Sequence, residues 1–544
     1  MNKIKKYYGN IIDLYNRRIF KGVIEVIDDK ISNIHEEDND SDLYFLPGFI
    51  DAHIHIESSM LVPYEFAKAA LKHGTVATIS DPHEIANVLG ISGVKYMIEN
   101  AKPSKLKFHF GAPSCVPATN FETAGSIIDT NGVEELLKSD DIFYLSEMMN
   151  YPGVLFEDEK VMEKLELAKK YNKPIDGHAP GLRGDAAKKY ASVGITTDHE
   201  CYSYAEAEEK IQYGMKILIR EGSAARNFEA LHPLISKFPE KLMFCCDDKH
   251  PDELLLFHID EHVRKSIALG YNLFDVLTIA CINPIQHYKM KVGSLRIGDY
   301  ADFISVKDLI DFKVLKTIIN GEEIFDGKNV KLEEKKHATP NKFINEQIED
   351  SAFIIKAESE FINVINALDG QLITKSSREK AKIIDGNLVS NTDKDILKIA
   401  VVNRYQKALV TTAFIKNFGL KEGAIASSVA HDSHNIIVVG ADDMSMCKAA
   451  NLIIECGGGL SLISNDENRV IGLPVAGLMS DNDAATIGKQ YAEIDQLAKK
   501  MGSQLRAPYM LLSFMALLVI PELKLSDKGL FDGENFKFTA LQIS

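Results

Sequence analysis

The stretch Phe45-Leu-Pro-Gly-Phe-Ile-Asp-Ala-His-Ile-His-Ile-Glu57 decides how the chain is interpreted. An apolar run follows a Pro-Gly turn and ends in His53 and His55, with Asp51 just before them. If this run is a strand, residues two apart share a face, so both imidazoles project the same way. Two imidazoles in that arrangement can hold one metal ion. A half-buried strand with two incidental histidines explains the pair equally well, so the rest of the chain has to decide.

Composition limits the classes of protein that the chain can belong to. It has 544 residues, of which 45% are apolar, and 62 basic against 78 acidic residues give a net charge of −16. This balance argues against a surface that coats nucleic acid. Seven cysteines without a CxxC pair indicate reduced thiols, and the longest apolar stretch, 509–520, is too short to cross a bilayer. We therefore expect a cytoplasmic protein of about two to four domains, with neither nucleic acid nor membrane as a partner.

An alternation of short apolar strands and helical stretches fills the chain from Pro47 to about Asn283. Helices are predicted, for example, over 157–171 and 185–192. The eight predicted strands are 49–56, 75–80, 107–113, 142–146, 173–177, 194–198, 216–220 and 241–246. Eight such units predict an α/β fold built on a (β/α)8 TIM-like barrel. The alternative, an open doubly wound sheet, would normally carry a Gly-rich phosphate loop, and neither GxGxxG nor GxxxxGK[ST] occurs.

Three domains are predicted from these changes of pattern. The pattern of residues 1–47 and 285–335 is typical of short strands, and Asn320-Gly321 is a hairpin signal. We predict that these two segments, which precede and follow the barrel in the chain, form one small β-sandwich-like domain. The barrel takes residues 48–284. A polar linker leads to residues 342–544, for which mixed strands and helices predict an α+β domain.

Polar side chains follow six of the predicted barrel strands, where the active site of such a barrel is built. They are His53 and His55; Asp81, His83 and Glu84; Glu147 and Asn150; Asp176 and His178; Asp198, His199 and Glu200; and Asp247, Asp248 and His250. Any single histidine among them has a structural explanation. Buried ionisable groups cost free energy unless they are paired or bound to a metal, so their coincidence at one rim predicts a metal site.

These strand ends resemble the amidohydrolase superfamily. So do two further segments: Pro47-Gly-Phe-Ile-Asp51, at the start of the first barrel strand, and Gly293-Ser-Leu-Arg-Ile-Gly-Asp-Tyr-Ala-Asp302, after the barrel. Three further segments resemble its adenine deaminase family: Asp81-Pro-His-Glu-Ile-Ala-Asn-Val88, Asp176-Gly-His-Ala-Pro-Gly181 and Ser428-Val-Ala-His-Asp-Ser-His-Asn435. The resemblance covers essentially the whole chain. It implies hydrolysis of adenine to hypoxanthine and ammonia in purine salvage, and we expect a homo-oligomer.

The resemblance also implies a ligand set for the metal. Its motifs map the ligands onto His53, His55, His178, His199 and Asp247. Many two-metal members bridge their ions with a carboxylated lysine on strand four. Strand four has no lysine here, so Glu147 is the candidate bridge, with an exposed or helix-capping role as its alternative. The resemblance points to two ions of Mn²⁺ or Fe²⁺, and an all-N/O ligand set does not exclude Zn²⁺.

Catalytic and substrate-binding roles follow from the same mapping. Asp247 would act as general acid and base beside Glu147. Adjacent strand residues face opposite ways, so we expect only Asp247, and not Asp248, to face the metal. The candidates for binding the purine are Glu84, His83, Glu200, Asp248 and Arg226, each of which could instead be a cap, a turn residue or part of a salt bridge. The polar segment 430–435 is either a loop over the barrel mouth or an ordinary turn, and we favour the turn.

Three other functions compete with this interpretation. A cyclic-amide hydrolase or a sugar deacetylase would use the same metal chemistry, but the missing strand-four lysine argues against the former and the long C-terminal domain against both. A non-catalytic barrel would hold little metal and would tolerate His55→Ala. The unrelated zinc deaminase fold is excluded because its motif combines H-x-E with P-C-x-x-C, and no P-C-x-x-C occurs in the chain.

Overall fold

Alternating β-branched residues form the first strands of the chain in this computed structural model, which describes residues 4–223, 225–344 and 346–543. The first two strands pair antiparallel along their whole length. The fourth leads directly into the barrel. These strands are β1 (Lys5–Asp13), β2 (Arg18–Ile27), β3 (Lys30–Glu36) and β4 (Tyr44–Pro47).

Parallel strands, nearly all of them buried, follow and close on themselves. They are β5 (Phe49–His55), β6 (Thr75–Ser80), β7 (Lys107–Ala112), β8 (Ile142–Met148), β9 (Ile175–Gly177), β10 (Thr197–Asp198), β11 (Lys216–Arg220), β12 (Leu242–Cys245) and β13 (Asp247–Asp248). β12 and β13 together form the eighth strand, which pairs with β11 on one side and with β5 on the other. A backbone bond from Thr196 N to Ile175 O, 2.9 Å, links β9 to the β10 side. The predicted barrel is confirmed, and the open-sheet alternative is wrong.

Amphipathic helices surround these strands. In one of them, Glu159–Lys170, Asp158 caps the first turn and the buried residues Val161, Leu165 and Ala168 recur every three or four positions. The helices are α1 (Pro63–Ala70), α2 (His83–Leu89), α3 (Ile91–Ala101), α4 (Thr130–Leu137), α5 (Tyr151–Leu155), α6 (Glu159–Lys170), α7 (Gly184–Ser192), α8 (Tyr204–Gln212), α9 (Phe228–Leu231), α10 (Pro251–Leu254), α11 (Ile259–Ala268), α12 (Leu273–Leu277) and α13 (Asn283–Tyr288). A π-helical turn, Thr278–Ile282, joins α12 to α13.

Three strands after the barrel return to the first sheet: β14 (Phe303–Val306), β15 (Val314–Ile319) and β16 (Glu322–Phe325). β14 pairs antiparallel with β4, which gives a seven-stranded sheet in the order β16-β15-β14-β4-β1-β2-β3. Strands from both sides of the barrel therefore share one sheet, and the sandwich-like character of this domain stays a prediction. Asn320 and Gly321, at φ 48° and 73°, form the turn between β15 and β16.

A mixed domain completes the chain. Its strands are β17 (Ile355–Lys356), β18 (Phe361–Ala367), β19 (Thr374–Lys380), β20 (Lys382–Ile384), β21 (Asn387–Val389), β22 (Ile396–Val402), β23 (Thr411–Lys416), β24 (Ala424–Ser427), β25 (Ile436–Gly440), β26 (Gly459–Ile463), β27 (Asn468–Gly472), β28 (Leu523–Ser526), β29 (Gly529–Asp532), β30 (Lys537–Phe538) and β31 (Gln542–Ile543). Its helices are α14 (Asp443–Cys456), α15 (Ala484–Lys500) and α16 (Pro508–Phe514). The main sheet runs in the order β19-β18-β23-β22-β25-β24-β26-β27, with β31 beside β18.

The C-terminal domain is bonded to the barrel at several points. Ser480 N donates to Met60 O at 2.8 Å, and Thr123 N donates to the Asp527 carboxylate at 2.9 Å. One continuous apolar core includes residues of both. Within residues 4–223, 225–344 and 346–543, the structure contains no helix with the length and apolar character that a bilayer crossing requires.

Candidate metal centre

The two histidines of β5 point to the same place. Their Nε2 atoms lie 3.2 Å apart, and both side chains are buried. His55 Nδ1 lies 3.2 Å from the backbone oxygen of Asp81, an acceptor that leaves Nε2 as the free ring nitrogen. Asp51 lies behind the pair: its Oδ1 accepts from Cys246 N at 3.1 Å and from His53 N at 3.3 Å. Strands one and eight are thereby held in register.

Glu147, on β8, lies between two groups of histidines. Its Oε1 is 3.3 Å from His55 Nε2. Its Oε2 is 2.7 Å from His178 Nδ1 and 3.2 Å from His199 Nε2. A carboxylate whose two oxygens face different imidazole groups is suited to contacting two cations. The alternative of an exposed or helix-capping glutamate is wrong, since Glu147 is 3% exposed and lies inside a strand.

Asp247 begins β13 with a backbone in the left-handed region, φ 55°, directly after the break at Cys246. Its Oδ1 is 3.2 Å from His55 Nε2 and 3.6 Å from His53 Nε2. The same break interrupts the alternation of the strand, so Asp248 lines the same cavity and accepts from Ser58 Oγ at 2.5 Å. Asp247 is thus the aspartate beside the histidines, and Asp248 lies in the cavity, where a substrate-binding role stays a prediction.

The donor atoms fit a divalent metal. Two overlapping groups, His53–His55–Asp247 and His53–Glu147–His199, each keep their ligand atoms within 4.8 Å of one another. Neither His53 Nδ1 nor His178 Nε2 has a hydrogen-bond partner in the described part of the chain. Four imidazoles and two carboxylates converging in a buried place form a donor set typical of zinc, manganese or iron.

Electrostatics keep the carboxylates of the cluster ionised and act differently on its imidazoles. Burial opposes protonation of His55, but Asp247 and Glu147 outweigh it and raise the pKa of His55 well above the usual range. Burial and then the neighbouring His199 lower the pKa of His53, which favours the neutral imidazole. Burial opposes ionisation of Glu147, but His178 and His199 outweigh it and hold its pKa well below the usual range. For Asp247, the Arg220 guanidinium likewise outweighs burial and holds the pKa well below its usual range.

Arg220, the last residue of β11, was not anticipated as a site residue. It donates to Glu200 Oε1 at 2.5 Å and to Oε2 at 3.0 Å, and it also bonds Asp247. One buried guanidinium thus orients two carboxylates at the rim. The sequence does carry a signal for it, because Arg220 is the last residue of a predicted barrel strand, the position at which the other site residues were found.

The other substrate candidates separate into two groups. His83 lies at the cluster, 3.2 Å from Asp81 Oδ2 and 3.5 Å from Glu147 Oε1, and Glu200 lines the same cavity. Arg226 does not. Its guanidinium pairs with Glu253 at 2.6 Å and with Glu221 at 3.6 Å. Arg220, by contrast, bonds Glu200 and Asp247, which do line the cavity.

Glu84 connects the barrel to the C-terminal domain. Its two carboxylate oxygens bond His431 Nδ1 and His434 Nε2. The segment 430–435 does form a turn, with His434 N donating to Ala430 O at 2.7 Å. It also reaches the barrel mouth, so the preference for an ordinary turn is wrong and the loop interpretation is the one that the contacts support.

A closed parallel barrel with histidines and carboxylates gathered at its strand ends defines a metal-dependent hydrolase of the amidohydrolase class. Residues 44–324 match the family model described as "Amidohydrolase family", and residues 371–537 match "Adenine deaminase C-terminal domain". The chain is 54% identical over 531 residues to an adenine deaminase of Sulfurovum sp., covering 97% of this chain and 98% of that protein. An adenine deaminase of Methanosarcina acetivorans is 50% identical over 550 residues, 99% of each chain. One of Borreliella burgdorferi is 48% identical over 541 residues, 98% of this chain and 99% of that protein. The chain belongs to the adenine deaminase family.

Proposed function

We propose that this protein hydrolyses adenine to hypoxanthine and ammonia at the barrel mouth, with two divalent ions, Mn²⁺ or Fe²⁺, bound there. Family membership supports the substrate. The observation that carries the two-ion arrangement is the position of Glu147, whose oxygens face His55 on one side and His178 with His199 on the other.

The residues divide into two ligand groups. His53, His55 and Asp247 would hold one ion, His178 and His199 the other, and Glu147 would contact both. Cations bound in this way lower the pKa of water toward neutrality and so supply a nucleophile near pH 7.

The chain's own residues then move the protons. Asp247 is ionised and can accept the proton that water loses as its oxygen bonds to C6 of the purine. It returns that proton to the exocyclic nitrogen, so that the C6–N bond breaks and ammonia departs. Arg220 keeps the Asp247 carboxylate oriented through the bond between them.

A direct assay tests this function. The purified protein, loaded with Mn²⁺ or Fe²⁺, should release ammonia and hypoxanthine in equal amounts from adenine. If adenine is not turned over while a cyclic amide or an N-acetylated sugar is, the substrate assignment is wrong but the metal chemistry stands.

Cellular setting and assembly are part of the same proposal. All seven cysteines are free and six of them are buried, which supports a reducing compartment such as the cytoplasm. The homo-oligomer stays a prediction, and the mass of the purified protein by light scattering decides it.

A further inference from the structure

The cavity above the candidate metal ligands has two walls that come from different domains. His55, Glu147 and the other strand-end residues form the barrel wall. The opposite wall, here called the roof, belongs to the C-terminal domain. The roof consists of Leu372, His431, Asp432, Phe514 and Leu517.

The roof segment 430–435 is fastened to the barrel. Glu84 bonds the rings of both His431 and His434. Asn435 Nδ2 donates to Thr123 O, which precedes α4 of the barrel, at 2.9 Å. Within the C-terminal domain, Tyr405 OH donates to Ser433 O at 2.6 Å. The backbone around Asp432 is therefore held in place relative to the candidate metal ligands.

Asp432 is a buried carboxylate that pairs with His83 only at long range and has one oxygen without a donor. The residue is 3% exposed, and its Oδ2 has no hydrogen-bond partner among the described residues. Its Oδ1 lies 3.8 Å from His83 Nε2, which is too long for a hydrogen bond. A buried carboxylate oxygen without a donor is costly, and the cost is removed if a ligand brings an N–H group to it.

The position of Asp432 suits the far end of a flat substrate. One imidazole separates it from the cluster, because His83 Nδ1 is 3.5 Å from Glu147 Oε1 and His83 Nε2 is 3.8 Å from Asp432 Oδ1. A purine lying along this ring, with its six-membered ring at Glu147, directs its five-membered ring toward Asp432. The ring of His431, which lines the cavity and is held by Glu84, supplies an aromatic neighbour for it.

Binding must move part of the roof. The cavity has a volume of about 20 Å³, which accommodates a water molecule but not a purine. Phe514 ends α16 and Leu517 follows it, and neither is part of the segment that Glu84 fastens. Lys524 holds the backbone oxygen of Phe514 but not its ring, so rotation of these two apolar side chains would open the cavity and leave Asp432 in place.

We infer that Asp432 accepts the imidazole N–H of adenine, so that a residue of the C-terminal domain selects the free base. This inference rests on the proposed function. Free adenine carries one N–H on its five-membered ring, at N9 or N7, and alkylation of either nitrogen leaves the ring without a donor. Asp432 does not take part in the bond changes at C6, so it is a specificity-determining residue.

The test compares Asp432→Ala and Asp432→Asn with wild type on adenine, 9-methyladenine and 7-methyladenine. Asp466→Asn, an exposed change of the same kind in the same domain, is the control. Asp432→Ala should raise KM for adenine about tenfold to hundredfold, the worth of a hydrogen bond to a charged group, with kcat within about threefold. Asp432→Asn, which keeps the shape but loses the charge, should fall in between.

The methylated bases make the test specific. Wild type should discriminate strongly against both, and Asp432→Ala should use adenine and the methylated bases with similar efficiency, because the partner of the N–H is gone. Metal content and melting temperature of each variant exclude a folding defect, and the conservative Asn variant carries the test if the Ala variant does not fold. Unchanged discrimination in a folded, metal-loaded variant would overturn the inference alone. No ammonia from adenine with wild type would overturn the proposed function as well.

Discussion

At the scale of single residues, the site depends on which carboxylate stands between the histidines. Glu147 occupies the strand-four position at which many related two-metal enzymes use a carboxylated lysine. It needs no covalent modification to be anionic, since His178 and His199 keep its pKa well below the usual range against the effect of burial. Metal loading should therefore not depend on carbon dioxide.

Replacing Glu147 tests its role. Glu147→Gln keeps the size of the side chain but removes the charge that both ligand groups share, so we expect loss of about one ion per chain and a fall in activity of at least about hundredfold. Elemental analysis measures the first effect and ammonia release the second. Glu166→Gln, whose side chain is 64% exposed on α6, is the matched control. Full metal content in Glu147→Gln would show that Glu147 is not a bridge.

Arg220 and Arg226 form a natural pair for comparison. Arg220→Lys loses the forked contact with Glu200 and the bond to Asp247, so kcat/KM for adenine should fall about tenfold to hundredfold. Arg226→Lys, at a guanidinium that pairs with Glu253 away from the cluster, should change it by no more than about twofold. Equal losses in both variants would contradict the assignment of Arg220 as the orienting residue.

At the scale of elements, most of the barrel was predictable from its apolar runs. β6 and β11 were predicted to the residue, because the buried run and the polar residues at its ends coincide. β10 spans only Thr197–Asp198 of the predicted 194–198, since Gly194, at φ 98°, belongs to the preceding turn. The orientation of Asp248 was not predictable. It depends on the left-handed backbone of Asp247. That conformation favours glycine, so an aspartate at this position gives no signal for it.

Asp51 shows how one element positions another. Asp51→Ala would leave the N–H groups of His53 and Cys246 buried without their acceptor, at a cost of about 2–5 kcal/mol. We expect a lower midpoint of urea unfolding and a loss of metal affinity of about tenfold or more, because His53 is itself a ligand candidate. Asp466→Ala is the exposed control. A stable variant with wild-type affinity for metal would show that Asp51 does not position the strand.

At the scale of the whole molecule, the C-terminal domain is part of the site. Sequence patterns located this domain and its polar segment 430–435, but not the contact with Glu84, because the two lie about 350 residues apart and nothing local specifies their meeting. The barrel supplies the candidate metal ligands, and the roof closes the cavity above them.

Lys524, on β28, ties the roof together and predicts a pH dependence of stability. It donates to Leu372 O at 2.6 Å and Phe514 O at 3.0 Å, and burial lowers its pKa from 10.5 to about 7. Between these values the unfolded chain binds more protons than the folded one, so the contribution of Lys524 to stability rises with pH from about 7 to 10.5. The difference in unfolding free energy between wild type and Lys524→Met should follow that rise. A difference that is constant over this range would contradict the assignment.

If the protein acts as proposed, water is added at C6 of adenine at the barrel mouth. The most direct measurement is the mass of the hypoxanthine formed from adenine by the metal-loaded protein in water enriched in oxygen-18. Unlabelled hypoxanthine incubated in the same way is the exchange control. We expect one oxygen-18 atom in each hypoxanthine formed, with ammonia released in equal amount. Hypoxanthine without the label, or no hypoxanthine at all, would contradict it.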